Sequence, residues 1–262
     1  MEAHGDRESI QFQPANVKSD KNIPIALRED KSDHAALAHK LAEGTSYAVA
    51  VPNYRLTTPE TQLHHPGHSE DLLAFLQFVH GWAGLPSQDH PPYDPSWLYL
   101  IGHSCSAHML TSILLSSPNF KAFPSLTPSE GLLQSVRGVI MSEGIYDVDL
   151  LLKSFPTYRE WFIANTFSDL DAYAAVNTSA YEMRQGGEDI RWLVVHSKGD
   201  TLVDEVQSQR MVAQLKTFKS ATSHVESYFG LTHEHNDIFL EDRYHEVVSK
   251  FITRNEELNI KS

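Results

Sequence analysis

Trp97-Leu98-Tyr99-Leu100-Ile101-Gly102-His103-Ser104-Cys105-Ser106-Ala107 is the stretch that decides the fold. An apolar run of strand character ends in Gly102-His103-Ser104-Cys105-Ser106. A helical pattern through Ala107, Leu110, Ile113 and Leu114 follows at once. A serine on a sharp strand-to-helix turn is the arrangement of a nucleophile elbow. The turn lifts the hydroxyl above the carboxyl edge of a sheet, and the helix N-terminus offers backbone N–H groups to an anion. Measured against G-x-S-x-G, the last glycine is Ser106 here, which adds a small strain. Ser104 is the candidate nucleophile, and the rest of the chain is read for a base, an acid and an oxyanion hole.

Working outward, Tyr47–Val51 is a continuous apolar run, the pattern of a strand buried on both faces of a parallel sheet. Asp33 is placed to cap a helix through Ala36, Leu37 and Leu41 to Gly44, and Leu72, Phe75, Leu76, Val79 and Trp82 fall at helical spacing. Gly84 to Pro95 is a connecting loop, and Ser116 to Glu130 a Ser/Pro-rich excursion. Val136–Met141, Arg191–Val195 and Ser223–Phe229 read as strands. Val206, Met211, Val212 and Leu215, and then Tyr244, Val247, Val248, Phe251 and Ile252, read as helices. Strands and helices alternate, which predicts an α/β fold with a mostly parallel, doubly wound sheet. The pattern loosens and becomes aromatic-rich over about 145–189, a cap insertion placed to shape a pocket. Residues 1–22 are polar and aperiodic and are expected to form a poorly ordered arm. Residues 23–262 then form one domain, in which Pro24 demotes Ile23–Leu27 to an edge strand at most.

Composition narrows the function. The net charge of −13 argues against nucleic acid or an anionic membrane as partner. No window approaches the roughly 18 apolar residues of a membrane span, and the polar start lacks the regions of a signal peptide. A single cysteine excludes an internal disulfide framework and a multi-cysteine zinc site, so a reducing, cytoplasmic setting is expected. His64-His65-Pro66-Gly67-His68 is the densest histidine cluster, and its Pro-Gly turn favours a solvated loop over a metal site. A small-molecule substrate is expected, without metal or cofactor.

A serine hydroxyl needs a base within reach, and the base needs an acid that fixes its tautomer. In this fold the chain order is Ser, acid, His, each after a successive strand. Asp200 follows Arg191–Val195 and His235 follows the strand ending at Phe229, so both reach the same edge as Ser104. Asp204 and His233 are their neighbours and rivals. Asp200 is favoured because the loop apex lies nearer the sheet. Cys105, the residue after the nucleophile, supplies a backbone N–H to the oxyanion hole; Cys105 as nucleophile is the weaker alternative.

Several segments together resemble the kynurenine formamidases of the fungal type, α/β-hydrolases of the hormone-sensitive-lipase-like branch. They are Asn53-Tyr54-Arg55-Leu56, Gly102-His103-Ser104, Gly144-Ile145-Tyr146-Asp147 with Leu151, Leu152, Pro156 and Tyr158, His196-Ser197-x-x-Asp200, and His235-Asn236-Asp237. The resemblance favours His235 over His233 as base. It implies an α/β-hydrolase fold and the hydrolysis of N-formyl-L-kynurenine to L-kynurenine and formate in tryptophan degradation. It also implies a dimer. Tyr146, Tyr158, Trp161 and Phe162 are candidates to meet the substrate's ring, with packing inside the cap as the alternative for each. The family carries a His-Gly-Gly-x-Trp oxyanion segment before the Tyr47–Val51 strand. Here Ile23-Pro24-Ile25-Ala26-Leu27 holds that place, and Pro24 has no N–H to give. A general carboxylesterase, or an impaired homologue that only binds a ligand, are the competing readings.

Overall fold

The computed structural model describes residues 30–58, 61–83, 93–117, 123–218 and 224–259. The expected arm, the Ile23–Leu27 run and most of the loop before Pro95 lie outside these residues. In chain order the elements are α1 (Ala35–Thr45), α2 (Gly67–Gly81), β1 (Leu98–His103), α3 (Cys105–Leu114), β2 (Leu115–Ser116), α4 (Glu130–Ser135) and β3 (Val136–Ser142). Then come α5 (Val148–Ser154), α6 (Ala164–Phe167), β4 (Glu182–Met183), β5 (Arg191–Ser197), α7 (Glu205–Leu215), β6 (Val225–Leu231) and α8 (Asp242–Asn259). Strands β1, β3, β5 and β6 lie side by side in that order, every pair parallel, while β2 and β4 form a small antiparallel ribbon.

The two-residue period of the strands sorts their side chains between two cores. Leu98 and Leu100, Val139 and Met141, and Trp192 and Val194 pack against Leu110, Ile113, Met211 and Leu215 of α3 and α7. Ile140, Leu193 and Val195 pack against Leu41 of α1 and against Tyr244, Val248 and Phe251 of α8. Helices therefore cover both faces of the parallel sheet, as its doubly apolar strands require. A third cluster, including Ile145, Leu151, Tyr158, Ile163 and Val176, builds the segment after β3. Among the described residues no helix is long and apolar enough to cross a membrane.

Three local expectations are corrected. The helix start is capped by Asp30, not Asp33. The Asp30 side chain accepts the Ser32 N–H while Asp33 reaches back to the Asp30 N–H, a reciprocal box on a short 3₁₀ turn, Lys31–His34, that leads into α1. Trp82 stands just past the end of α2.

The third correction concerns Tyr47–Val51. This segment is not a strand, and Val49 is 39% exposed. Among the described residues β1 pairs only with β3. Its other edge faces a cavity of about 900 Å³ whose lining includes Tyr47–Val51. An apolar run becomes a strand only when a neighbour takes its hydrogen bonds, and among the described residues no strand pairs with this one.

Candidate active site

Four strand ends and the loops beyond them build the site. At the end of β1 the chain turns into α3 within one residue, Ser104, whose backbone sits at φ 53° and ψ −118°. This left-handed conformation is costly for a residue with a side chain, and surrounding bonds hold it. The Ser104 N–H donates to the Ser142 carbonyl at 2.9 Å, and the Ser104 carbonyl accepts from Ala107 at 3.2 Å and from Ile145 at 3.4 Å. Gly102 is required for the helix to cross this close. A Cβ there would stand 2.9 Å from the Ala107 nitrogen and from the Ser106 carbonyl carbon. Ser106 lies within the first turn of α3 and is not among the residues with positive φ, so the strain expected there is absent. Cys105 opens α3, which puts its N–H at the end of positive partial charge.

Beyond β5, Asp200 is pinned by its own loop. One carboxylate oxygen accepts the N–H groups of Leu202 and Val203 at 2.8 and 2.9 Å. The other accepts from His235 Nδ1 at 2.8 Å. A carboxylate only accepts, so the proton lies on Nδ1 and Nε2 keeps its lone pair, the tautomer a general base needs.

The loops after β5 and β6 are tied together. Lys198 N–H donates to the Leu231 carbonyl, and the Ser197 hydroxyl donates to the His233 carbonyl at 2.5 Å. Gly199 runs so close to the second loop that a Cβ would meet the Thr232 oxygen at 2.2 Å. Of the rival residues, Asp204 takes the Ser154 hydroxyl, and His233 is half exposed and pairs with Glu241 at 2.7 Å.

Ser104, Cys105 and His235 line one cavity of about 160 Å³. Tyr158, Trp161 and Phe162, from the segment after β3, form one side of it, with ring centroids 5.1 and 5.2 Å from Tyr158 to the other two. Tyr146 does not belong there. It is fully buried in the core between the sheet, α3 and α7, because the chain leaving β3 turns inward before the cap begins. The Tyr146 and Asp147 N–H groups are both held by the Gln207 side chain.

The histidine cluster is also corrected. His65 and His68 are not in a solvated loop but line the same cavity with His108. The His65 ring meets those of Phe123, Phe167 and His108 at 4.6, 5.3 and 5.4 Å. Burial drives His65 down to about 2 and His108 to about 4, so both are neutral in ordinary buffers. Among the described residues the lining carries no lysine or arginine. Tyr158, Trp161, Phe162 and Phe167 make part of the wall aromatic, suited to a flat ring.

Sequence reasoning passed over Glu143. It follows β3 at φ 50°, fully buried, with Oε1 accepting the Ser197 N–H at 3.2 Å. Its Oε2 lies 3.4 Å from His235 Nδ1 and 3.9 Å from His103 Nδ1. Burial first, and then the Asp200 carboxylate, push its carboxyl up to about 9. The available signal was an acidic residue just after the apolar end of a strand, Val139–Met141.

Solved structures of hydrolases superpose along most of the chain. An acetyl ester-xyloside bifunctional hydrolase from Caldicellulosiruptor lactoaceticus matches with TM-score 0.61 at 13% identity, over 91% of this chain and 85% of that one. A carboxylesterase from Lactobacillus plantarum matches with TM-score 0.58 at 15% identity, over 89% and 82%. The chain has the α/β-hydrolase fold. Within that fold, sequence similarity runs to two curated kynurenine formamidases. That of Eremothecium gossypii is 29% identical over 199 residues, covering 73% of this chain and 74% of the relative. That of Meyerozyma guilliermondii is 28% identical over 205 residues, covering 77% and 69%. No family model matches the chain.

Proposed function

We propose that the protein is a serine hydrolase of the arylformamidase type, which cleaves N-formyl-L-kynurenine to L-kynurenine and formate with Ser104, Asp200 and His235. The observation that carries the reading is the Asp200–His235 hydrogen bond of 2.8 Å beside the cavity that Ser104 lines. Similarity to two kynurenine formamidases gives the substrate class.

In the first half-reaction His235 Nε2 takes the Ser104 proton as the oxygen attacks the formyl carbonyl. Asp200 stabilises the imidazolium that forms. The Cys105 N–H faces the developing oxyanion, and the dipole of α3 supports it. His235 returns the proton to the aryl nitrogen, which leaves as the amine. Water, deprotonated by the same histidine, then releases formate and regenerates the serine. Formyl is the smallest acyl group, which suits a cavity of about 160 Å³. Tyr158, Trp161 and Phe162 are assigned to the aryl ring, where each aromatic contact contributes about 0.5–1.5 kcal/mol.

Esterases share the fold but match the sequence less well. Comparing kcat/KM for N-formyl-L-kynurenine with that for p-nitrophenyl acetate separates the two. A formamidase favours the formamide, and a clear preference for the ester would refute the assignment.

A further inference from the structure

Asp200 is not alone against His235. Two carboxyl groups from different strand ends converge on the same ring nitrogen. Asp200 Oδ2 is at 2.8 Å and Glu143 Oε2 at 3.4 Å, and neither side chain is exposed. A glutamate in an apolar interior costs desolvation, and φ 50° adds backbone strain. The position is nonetheless held firmly. The Glu143 N–H donates to the Val195 carbonyl at 2.9 Å, and its Oε1 accepts the Ser197 N–H.

Resting on the triad assigned above, we propose that Glu143 is a positioning residue, a second carboxyl partner for His235 Nδ1–H that holds the imidazole in register with Asp200 and replaces Asp200 when that charge is lost. The two carboxyls share one negative charge. Burial, and then the neighbouring Asp200 carboxylate, keep the Glu143 carboxyl protonated in the resting protein. The groups that face Glu143 are Asp200, His235 and His103, with Glu241 and Glu234 farther out. Neutralising Asp200 removes the nearest repulsion and lets Glu143 ionise at lower pH. The pair therefore behaves as one acid with a reserve.

Glutamine tests the point because it keeps the shape. With its oxygen on the Ser197 N–H, the amide turns an N–H toward His235 Nδ1–H, so two donors face each other. The assay is the rate at which a fluorophosphonate probe labels Ser104 in the full chain, measured across pH for wild type, Glu143→Gln, Asp200→Asn and the double variant. This readout needs no formamide turnover.

Glu143→Gln should label about tenfold more slowly, in a fold at least as stable as wild type. Asp200→Asn should lose up to ~10⁴-fold near neutral pH. Its remaining rate should climb through one alkaline ionisation that is missing from the double variant. Equal profiles for Asp200→Asn and the double variant, with wild-type rates for Glu143→Gln, would overturn the proposal and leave the hydrolase assignment standing. Labelling that depends on Glu143 in a protein that does not turn over N-formylkynurenine would support the proposal and refute the substrate. A wild type that does not label at all overturns both.

Discussion

Replacing Glu143 with glutamine should stabilise the fold while slowing the chemistry, and the gain should depend on pH. The carboxyl titrates near 4.5 in an unfolded chain and near about 9 in the folded one. Below pH 4.5 both states hold the proton, and the group is neutral to stability. As pH rises above 4.5 the unfolded chain releases the proton and the folded one keeps it. Folding is then penalised progressively until pH reaches the folded value. At 1.36 kcal/mol per pH unit the penalty is about 1 kcal/mol at pH 5 and about 3 kcal/mol at pH 7. Glutamine never ionises and escapes it. For a chain of this size about 2 °C of Tm accompanies each kcal/mol, so Glu143→Gln should melt roughly 2 °C above wild type at pH 5 and roughly 6 °C above it at pH 7. Calorimetry at the two pH values decides. A gain that is the same at both, or a variant less stable than wild type at pH 7, would refute the claim that Glu143 is protonated in the folded protein.

The strained elbow gives a second stability prediction. Ser104→Gly removes the side chain at φ 53° and should raise stability by about 1 kcal/mol in urea unfolding while abolishing probe labelling. Gly199→Ala drives a methyl against the Thr232 and His233 carbonyls, and should cost about 1–3 kcal/mol and slow labelling by parting Asp200 from His235. The buried histidines act in the opposite pH direction to Glu143. His108 ionises at 6.5 unfolded and about 4 folded, so its contribution is whole above pH 6.5 and fades as pH falls. It costs about 2 kcal/mol by pH 5, and His108→Gln, which keeps a donor for the Val176 carbonyl, should flatten that acid loss in melts taken from pH 7 to pH 5.

The strand-to-helix turn at Ser104 and the pairing of Asp200 with His235 were legible because each is a short signal at a strand end, and chain order narrowed the candidates to neighbours that loop position and resemblance then ranked. Strand ends on one edge of a parallel sheet set Ser104 and His235 on one cavity, with Asp200 bonded to His235. Tyr47–Val51 was misread because an apolar run states only that a segment can be buried. Whether it joins a sheet depends on a neighbour that the run itself does not specify. The histidine cluster was misread for a related reason. His65 is buried by Phe123 and Phe167, residues about 60 and 100 positions away, and no local pattern announces that contact. Tyr146 shares its motif with Tyr158 yet packs in the sheet core, because the chain leaving β3 turns inward there, where Gln207 of α7 also holds its N–H. Glu143 was hidden because a strand-ending glutamate reads as an exposed charge until the fold closes over it.

Formate release from N-formyl-L-kynurenine by purified wild-type protein, set against Ser104→Ala, tests the account most directly. Wild type should turn over, and the variant should not exceed the uncatalysed rate. Equal rates for the two proteins would contradict it.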